Sequence, residues 1–316
     1  MLHVTAGLKV NSVVWIMSPE DADERQSTDQ VLTFLEPFLQ VMQVPFVKVE
    51  PRSAVELVTF FQLLEDRVKA GLRPIIHLDT HGGLKDGLYI AASGEFVAWQ
   101  ELAEQLRPIN VAAQNNICVV SAACFSLHTI MQLDFRAPTP FFVMFAPAEE
   151  VTFGFIEERM FDFYEDVFTS MDAMGAHERH LAPNLQQFHC LRLVLKSLSG
   201  YMRDHCTGKG RRKRVRALLN KNLGPGKQHP NTPAVRRVAR QVARVTTEPN
   251  QALIDRHAKP FLMGQTLPMS FDEVLAFVRA DAIRYNVLVR RAARSKQRNR
   301  RIRHAGRKRL RALERR

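Results

Sequence analysis

Apolar positions in the first half of the chain fall into short continuous blocks separated by stretches with helical spacing. Val13–Met17 is one such block, closed by the turn-forming run Ser18-Pro19-Glu20-Asp21. Val44–Val49, bounded by Pro45 and Pro51, Pro74–Leu78, Ile117–Ser121 and Pro140–Phe145 are others. Blocks of this length, bounded by turn residues, read as strands buried on both faces. Between them, Val31–Met42, Ala54–Ala70, Trp99–Leu106 and Glu149–Met171 carry apolar residues at helical intervals. Gly87–Trp99 reads as a hairpin turning at Ser93-Gly94. Strands alternating with helices predict an α/β fold with a mainly parallel sheet flanked by helices.

The pattern changes after residue 175. Leu191–Met202 has helical spacing, whereas Cys206–Lys213 and Asn222–Pro230 read as loops. Thr232-Pro233 is a helix start, a capping hydroxyl followed by proline at the first helical position. Ser270-Phe271-Asp272-Glu273 is a capping box, and the helix it opens is expected to reach about Arg294. The chain therefore divides into an α/β region over 1–175, connecting helices and loops over 176–230, and a basic α-helical region with a tail over 231–316.

Charge sharpens that division. Residues 1–208 carry 15 Lys and Arg against 26 Asp and Glu, a net of −11, whereas residues 209–316 carry 30 against 6, a net of +24. An acidic body joined to a basic half points to a polyanionic partner, or to docking of one half on the other. The 46% hydrophobic content excludes a wholly disordered chain. No apolar run approaches the ~18–20 residues of a membrane span, and no secretory leader is evident. Cys118, Cys124, Cys190 and Cys206 are irregularly spaced and form no disulfide framework. A reducing, cytoplasmic setting is expected.

Two motifs follow adjacent expected strands. His77-Leu78-Asp79-Thr80-His81-Gly82-Gly83 comes after the third, and Ser121-Ala122-Ala123-Cys124-Phe125-Ser126 after the fourth. The carboxyl ends of parallel strands are where such sheets bind ligands, so an imidazole and a thiol are expected to face one cleft. The arrangement resembles the caspase-like cysteine peptidases, and within them the CHAT branch. Members carry His-Gly after one strand and Cys after the next. The separation from His81 to Cys124 is 43 residues, near the roughly 50 between the caspase His and Cys. The similarity extends through Phe145–Thr152 and the Phe161-Asp162-Phe163-Tyr164 helix, covering about residues 10–172. It departs from the pattern at Ala122, where metacaspases have Asp, and at Phe145, where Trp is usual.

The resemblance implies a caspase-like peptidase domain over 1–175 acting on a protein substrate, of the kind found in bacterial stress or defence systems. Cys124 would be the nucleophile and His81 the acid–base group. The N–H groups of Gly82 and Cys124 would form the oxyanion hole. Glu149 and Glu150, after the fifth strand, are expected to receive a basic P1 side chain. No cofactor or metal is expected: His177, His180, His189, Cys190, His205 and Cys206 lack the spacing of a structural zinc site.

The basic half carries its own expectation. Arg211, Arg212, Lys213 and Arg214 form one cluster, Arg237, Arg240 and Arg244 share a helix face, and Arg298, Arg300 and Arg301 begin a third cluster. Such faces suit phosphate contacts with nucleic acid. The alternative to a peptidase is accordingly a nucleic-acid-binding protein built on an inactive caspase-like scaffold. An acidic protein surface, including the chain's own body, is the other partner class that this charge suits.

Overall fold

The structure is a computed structural model that describes residues 7–182, 184–206, 208–223, 232–248 and 250–280. Its strands are β1 (Ser12–Ser18), β2 (Phe46–Val49), β3 (Pro74–Thr80), β4 (Gly82–Gly83), β5 (Gly87–Ile90), β6 (Glu95–Val97), β7 (Cys118–Ser121), β8 (Val143–Ala146) and β9 (Gln186–His189). Six of them form one sheet in the order β2-β1-β3-β7-β8-β9, and β4-β5-β6 form a small antiparallel sheet. The first five strands of the large sheet are parallel, and β9 runs antiparallel to β8 at the edge. Every residue of β1, β3, β7 and β8 is buried. Continuous Val, Ile and Phe runs suit strands covered on both faces.

The helices are α1 (Ala22–Val41), α2 (Ala54–Lys69), α3 (Trp99–Ala112), α4 (Phe153–Ser170), the single turn α5 (Ala173–Ala176), α6 (Cys190–Tyr201), α7 (Gly208–Leu223), α8 (Pro233–Thr246) and α9 (Gln251–Ala258). Right-handed crossovers decide which face each one covers. The chain leaves β1 for β2 in one direction, then passes to β3 and β7 in the other. This sets α1 on one face and α2 and α3 on the opposite one. The packing agrees: α1 lies against α4, and α2 against α3. Reversal of direction at β1 makes the carboxyl ends of β1 and β3 the switch point of the sheet, the usual place for a ligand crevice.

The α/β class, the parallel sheet and its flanking helices match expectation. Ser53 caps α2 and Thr232 caps α8, each side chain accepting the N–H three residues on. The capping box is present: Glu273 Oε2 accepts the Ser270 N–H at 2.8 Å, and residues 271–280 are helical. The stretch from 281 to Arg294 lies outside the described residues.

Three local readings are corrected. α1 starts at Ala22 rather than Val31, because Asp21 accepts the N–H groups of Asp23 and Glu24 and caps an early, polar first turn. β9 lies where no strand was expected. Residues 208–213, read as loop, form the first turns of α7, entered through a π-type turn at Met202–Cys206. The chain forms two compact units, Met1–Val194 with Asp255–Pro268, and Leu195–Ile254 with Met269–Arg316. β9 and the segment 255–268, both beyond the expected 1–175 domain, thus belong with the sheet. The Phe261 carbonyl accepts the Thr139 N–H at 2.9 Å, and its ring packs 5.0 Å from Phe135.

Candidate functional site

Register brings the two motifs together. β3 pairs with β7 so that Leu78 lies opposite Ser121, and Leu78 O accepts the Ala122 N–H at 2.8 Å. His81 and Cys124 each stand three residues beyond that pair. The loops they enter are in direct contact. A Cβ placed on Gly82 would fall 2.2 Å from the Cys124 carbonyl oxygen and 3.2 Å from its nitrogen. Only glycine permits that approach.

Cys124 is half-buried and is held by the loop after β8. The Val151 N–H donates to Sγ at 3.4 Å, and the thiol points at Val151 O at 3.8 Å. Phe125 N–H donates to Glu149 O at 3.3 Å, and Leu127 N–H to Pro147 O at 3.1 Å. Glu149 and Glu150, both exposed, precede Val151 in this loop. Phe125 has φ 61°, and a 3-10 helix follows over Ser126–Gln132. A left-handed phenylalanine beside a candidate nucleophile is a backbone outlier of the kind that clusters at functional sites. The element behind Cys124 is therefore a short 3-10 turn and not the N-terminus of an α-helix.

His81 has a partner that the sequence did not announce. Its Nε2 lies 2.7 Å from Glu24 Oε1, and Glu20 Oε2 lies 3.6 Å away. The other Glu24 oxygen accepts the Glu20 N–H at 2.7 Å, so the carboxylate is fixed by backbone at the start of α1. A carboxylate only accepts, so Nε2 carries a proton in this contact. These three residues also have ligand atoms within 4.8 Å of one another, a donor set able to hold a divalent cation. Glu24 is 57 residues from His81 in sequence, and only the β1–β3 pairing joins them.

A buried polar layer supports β3 from below. His77 stacks on Trp15 at 3.6 Å, and its Nδ1 lies 2.9 Å from the Tyr164 hydroxyl. Burial pushes its pKa down to about 3. Asp79 accepts from Thr28 Oγ1 at 2.7 Å and Trp15 Nε1 at 3.3 Å, and burial raises its pKa. Burial also raises the thiols of Cys118, Cys190 (to about 12) and Cys206, all fully enclosed.

Arg211, Arg212, Lys213 and Arg214 lie on α7, and Arg237, Arg240 and Arg244 on α8, both in the second unit. Arg298, Arg300 and Arg301 lie outside the described residues. α7 and α8 pack side by side and antiparallel, with Arg211 donating to the Arg244 carbonyl at 3.0 Å. Between them runs a cavity of about 840 Å³ that Arg211, Arg212, Arg216, Arg236, Arg240 and Arg244 line. Arg237 lines an adjoining hollow. Arg214 is turned elsewhere, donating to Cys206 Sγ at 3.1 Å and standing over the Tyr201 ring. Sequence reasoning missed Arg216, although it stands four residues from Arg212 on the same helix.

The fold and site together describe an α/β protein whose thiol and imidazole flank the carboxyl ends of adjacent parallel strands. Comparison of the chain with protein-family models, curated proteins and solved structures finds no match.

Proposed function

We propose that the chain is a cysteine endopeptidase acting through Cys124 and His81, in the manner of the caspase-like peptidases that its motifs resemble. The observation that carries this reading is the backbone contact of Gly82 with Cys124, which holds the two candidate catalytic loops together. Cys124 Sγ, its proton passed to His81, attacks the substrate carbonyl carbon. The resulting oxyanion is received by the N–H groups of Gly82 and Cys124, a contribution worth about 10²–10³ in rate per donor. His81 then protonates the leaving amine, and water releases the acyl group from sulfur with His81 as base. Glu24 acts as a positioning residue that fixes the imidazole tautomer. Glu149 and Glu150 give the cleft a negative rim suited to a basic P1 side chain.

The test is N-terminal peptide profiling of a host-cell extract treated with wild type, Cys124→Ala or Glu24→Gln. Wild type is expected to create new N-termini that Cys124→Ala does not, with Lys or Arg before the cuts. Glu24→Gln is expected to slow them by about 10²–10⁴. Absence of Cys124-dependent cuts would overturn the reading, and acidic P1 residues would remove the role given to Glu149 and Glu150. The alternative, a nucleic-acid-binding protein on an inactive scaffold, is favoured by the arginine-lined cavity, and Cys124-dependent cleavage separates the two.

A further inference from the structure

The cavity between α7 and α8 has two chemistries. Arg212 and Arg216 are one helical turn apart on α7, and Arg236, Arg240 and Arg244 are spaced likewise on α8. These residues and Arg211 line the same space. Val215, Leu219 and Leu223, also four apart, supply an apolar strip to its wall. Neither helix contains an acidic residue. Glu248 lies against the cluster, 3.6 Å from Arg211. Arg211 is engaged structurally by the α8 carbonyl as well.

Bringing like charges onto facing helices is unfavourable, and a bound anion converts that repulsion into attraction. Guanidinium groups match phosphate oxygens in pairs. A volume of about 840 Å³ lies within the range of small-ligand sites. The apolar strip distinguishes the cavity from a purely ionic one, since it offers a surface for a flat, weakly polar group beside the charge.

We propose that this cavity binds a nucleotide, its phosphates on the arginines and its base against Val215, Leu219 and Leu223. The nucleotide is either free or part of a single strand. The site lies wholly within the second unit, and the proposal stands apart from the peptidase chemistry of Cys124.

The experiment uses the full chain and two fluorescent probes, ribose-labelled ATP and an end-labelled twelve-residue thymidine strand. Arg216→Gln/Arg240→Gln/Arg244→Gln removes three of the six arginines that line the cavity. Lys209→Gln/Lys213→Gln/Lys221→Gln removes the same charge from α7 residues that do not line it. Removing repelling cations leaves the fold intact, which circular dichroism checks. The cavity variant is expected to weaken at least one probe by about tenfold or more at 150 mM salt, with the lysine variant within about twofold. Loss of ATP binding identifies a free nucleotide as the ligand. Loss for the strand alone identifies a nucleic acid, and the salt slope then falls by about 2. Equal effects of the two variants would overturn the proposal. So would inorganic triphosphate displacing labelled ATP as well as ATP does, since the apolar strip would then contribute nothing.

Discussion

Gly82 decides more than its size suggests. The position where its Cβ would stand is already filled by the Cys124 carbonyl, 2.2 Å away. Gly82→Ala must therefore push two backbone segments apart. Overfilling of this kind costs about 1–3 kcal/mol, and a displacement near 1 Å lowers a catalytic rate by about 10². Gly83→Ala is the matched control, because the nearest atoms its Cβ meets belong to the Asp86 side chain, the carboxylate at 2.8 Å and Cβ at 3.1 Å, and not to backbone. Peptide cleavage by Gly82→Ala is expected to fall at least tenfold below that of Gly83→Ala, and equal rates would show that the contact has no catalytic consequence. Accessibility gives a second residue-level expectation. Cys118, Cys190 and Cys206 are buried with raised pKa values, and Cys124 is the half-buried thiol. Mass spectrometry after brief alkylation of the native chain should find the label on Cys124 first. The His81 and Cys124 motifs were legible because each follows a strand immediately. Glu24 was not, because the signal that places it is a pairing between strands, and spacing along the chain carries no trace of it.

At the scale of elements, the strands of the parallel sheet were readable because burial on both faces removes the need for polar positions. β9 escaped because Gln186 is exposed and Gln187 half-buried, so an edge strand of four residues shows no apolar block. α7 escaped for another reason. Gly208 and Gly210 among lysines and arginines resemble a loop by composition, yet Gly210 is a packing residue. Its Cβ would fall 1.9 Å from the Asp204 carbonyl oxygen in the preceding π-type turn. The two physical effects predict opposite signs. Helix propensity alone favours Ala over Gly by about 1 kcal/mol, whereas the clash with backbone disfavours it. Backbone atoms cannot yield as a side-chain tip can, so Gly210→Ala is expected to reduce helical content and lower the thermal midpoint of the second unit. A raised midpoint on circular dichroism would mean that propensity wins and the close approach is easily relaxed.

For the whole molecule, the charge split was plain in the sequence, but the way the chain divides was not. Residues 255–268 return to the sheet-bearing unit through the Phe261 carbonyl and the Gln265 side chain, which donates to Gln114 O at 2.8 Å. What ties the segment back is the burial of Ala258, Phe261, Leu262 and Leu267 together with those few polar contacts.

The sheet-bearing unit also carries a pH dependence that no single element accounts for. His77, His177 and His189 are buried, and His77 Nε2, His177 Nδ1 and His189 Nε2 have no hydrogen-bond partner. Burial holds His77 at about 3 and His189 at about 4, and lowers His177 as well. A depressed folded value means that the unfolded chain takes up the proton first. Stability is therefore complete above about pH 6.5 and is lost as pH falls toward 4, by up to about 1.4 kcal/mol per pH unit for each fully buried imidazole. Asp79 runs the other way: its raised folded value favours the protonated carboxyl, so it adds stability as pH falls. One carboxyl set against three imidazoles leaves the net slope acid-labile. Urea midpoints at pH 7, 6 and 5 should thus decline for wild type. The decline should be steeper for Asp79→Asn, which keeps an oxygen for Thr28 and Trp15 but cannot titrate, and shallower for His77→Gln, which can still bond to Tyr164. A midpoint that stays level from pH 7 to 5 in all three proteins would mean that these imidazoles gain their protons in the folded state without penalty, which their burial contradicts.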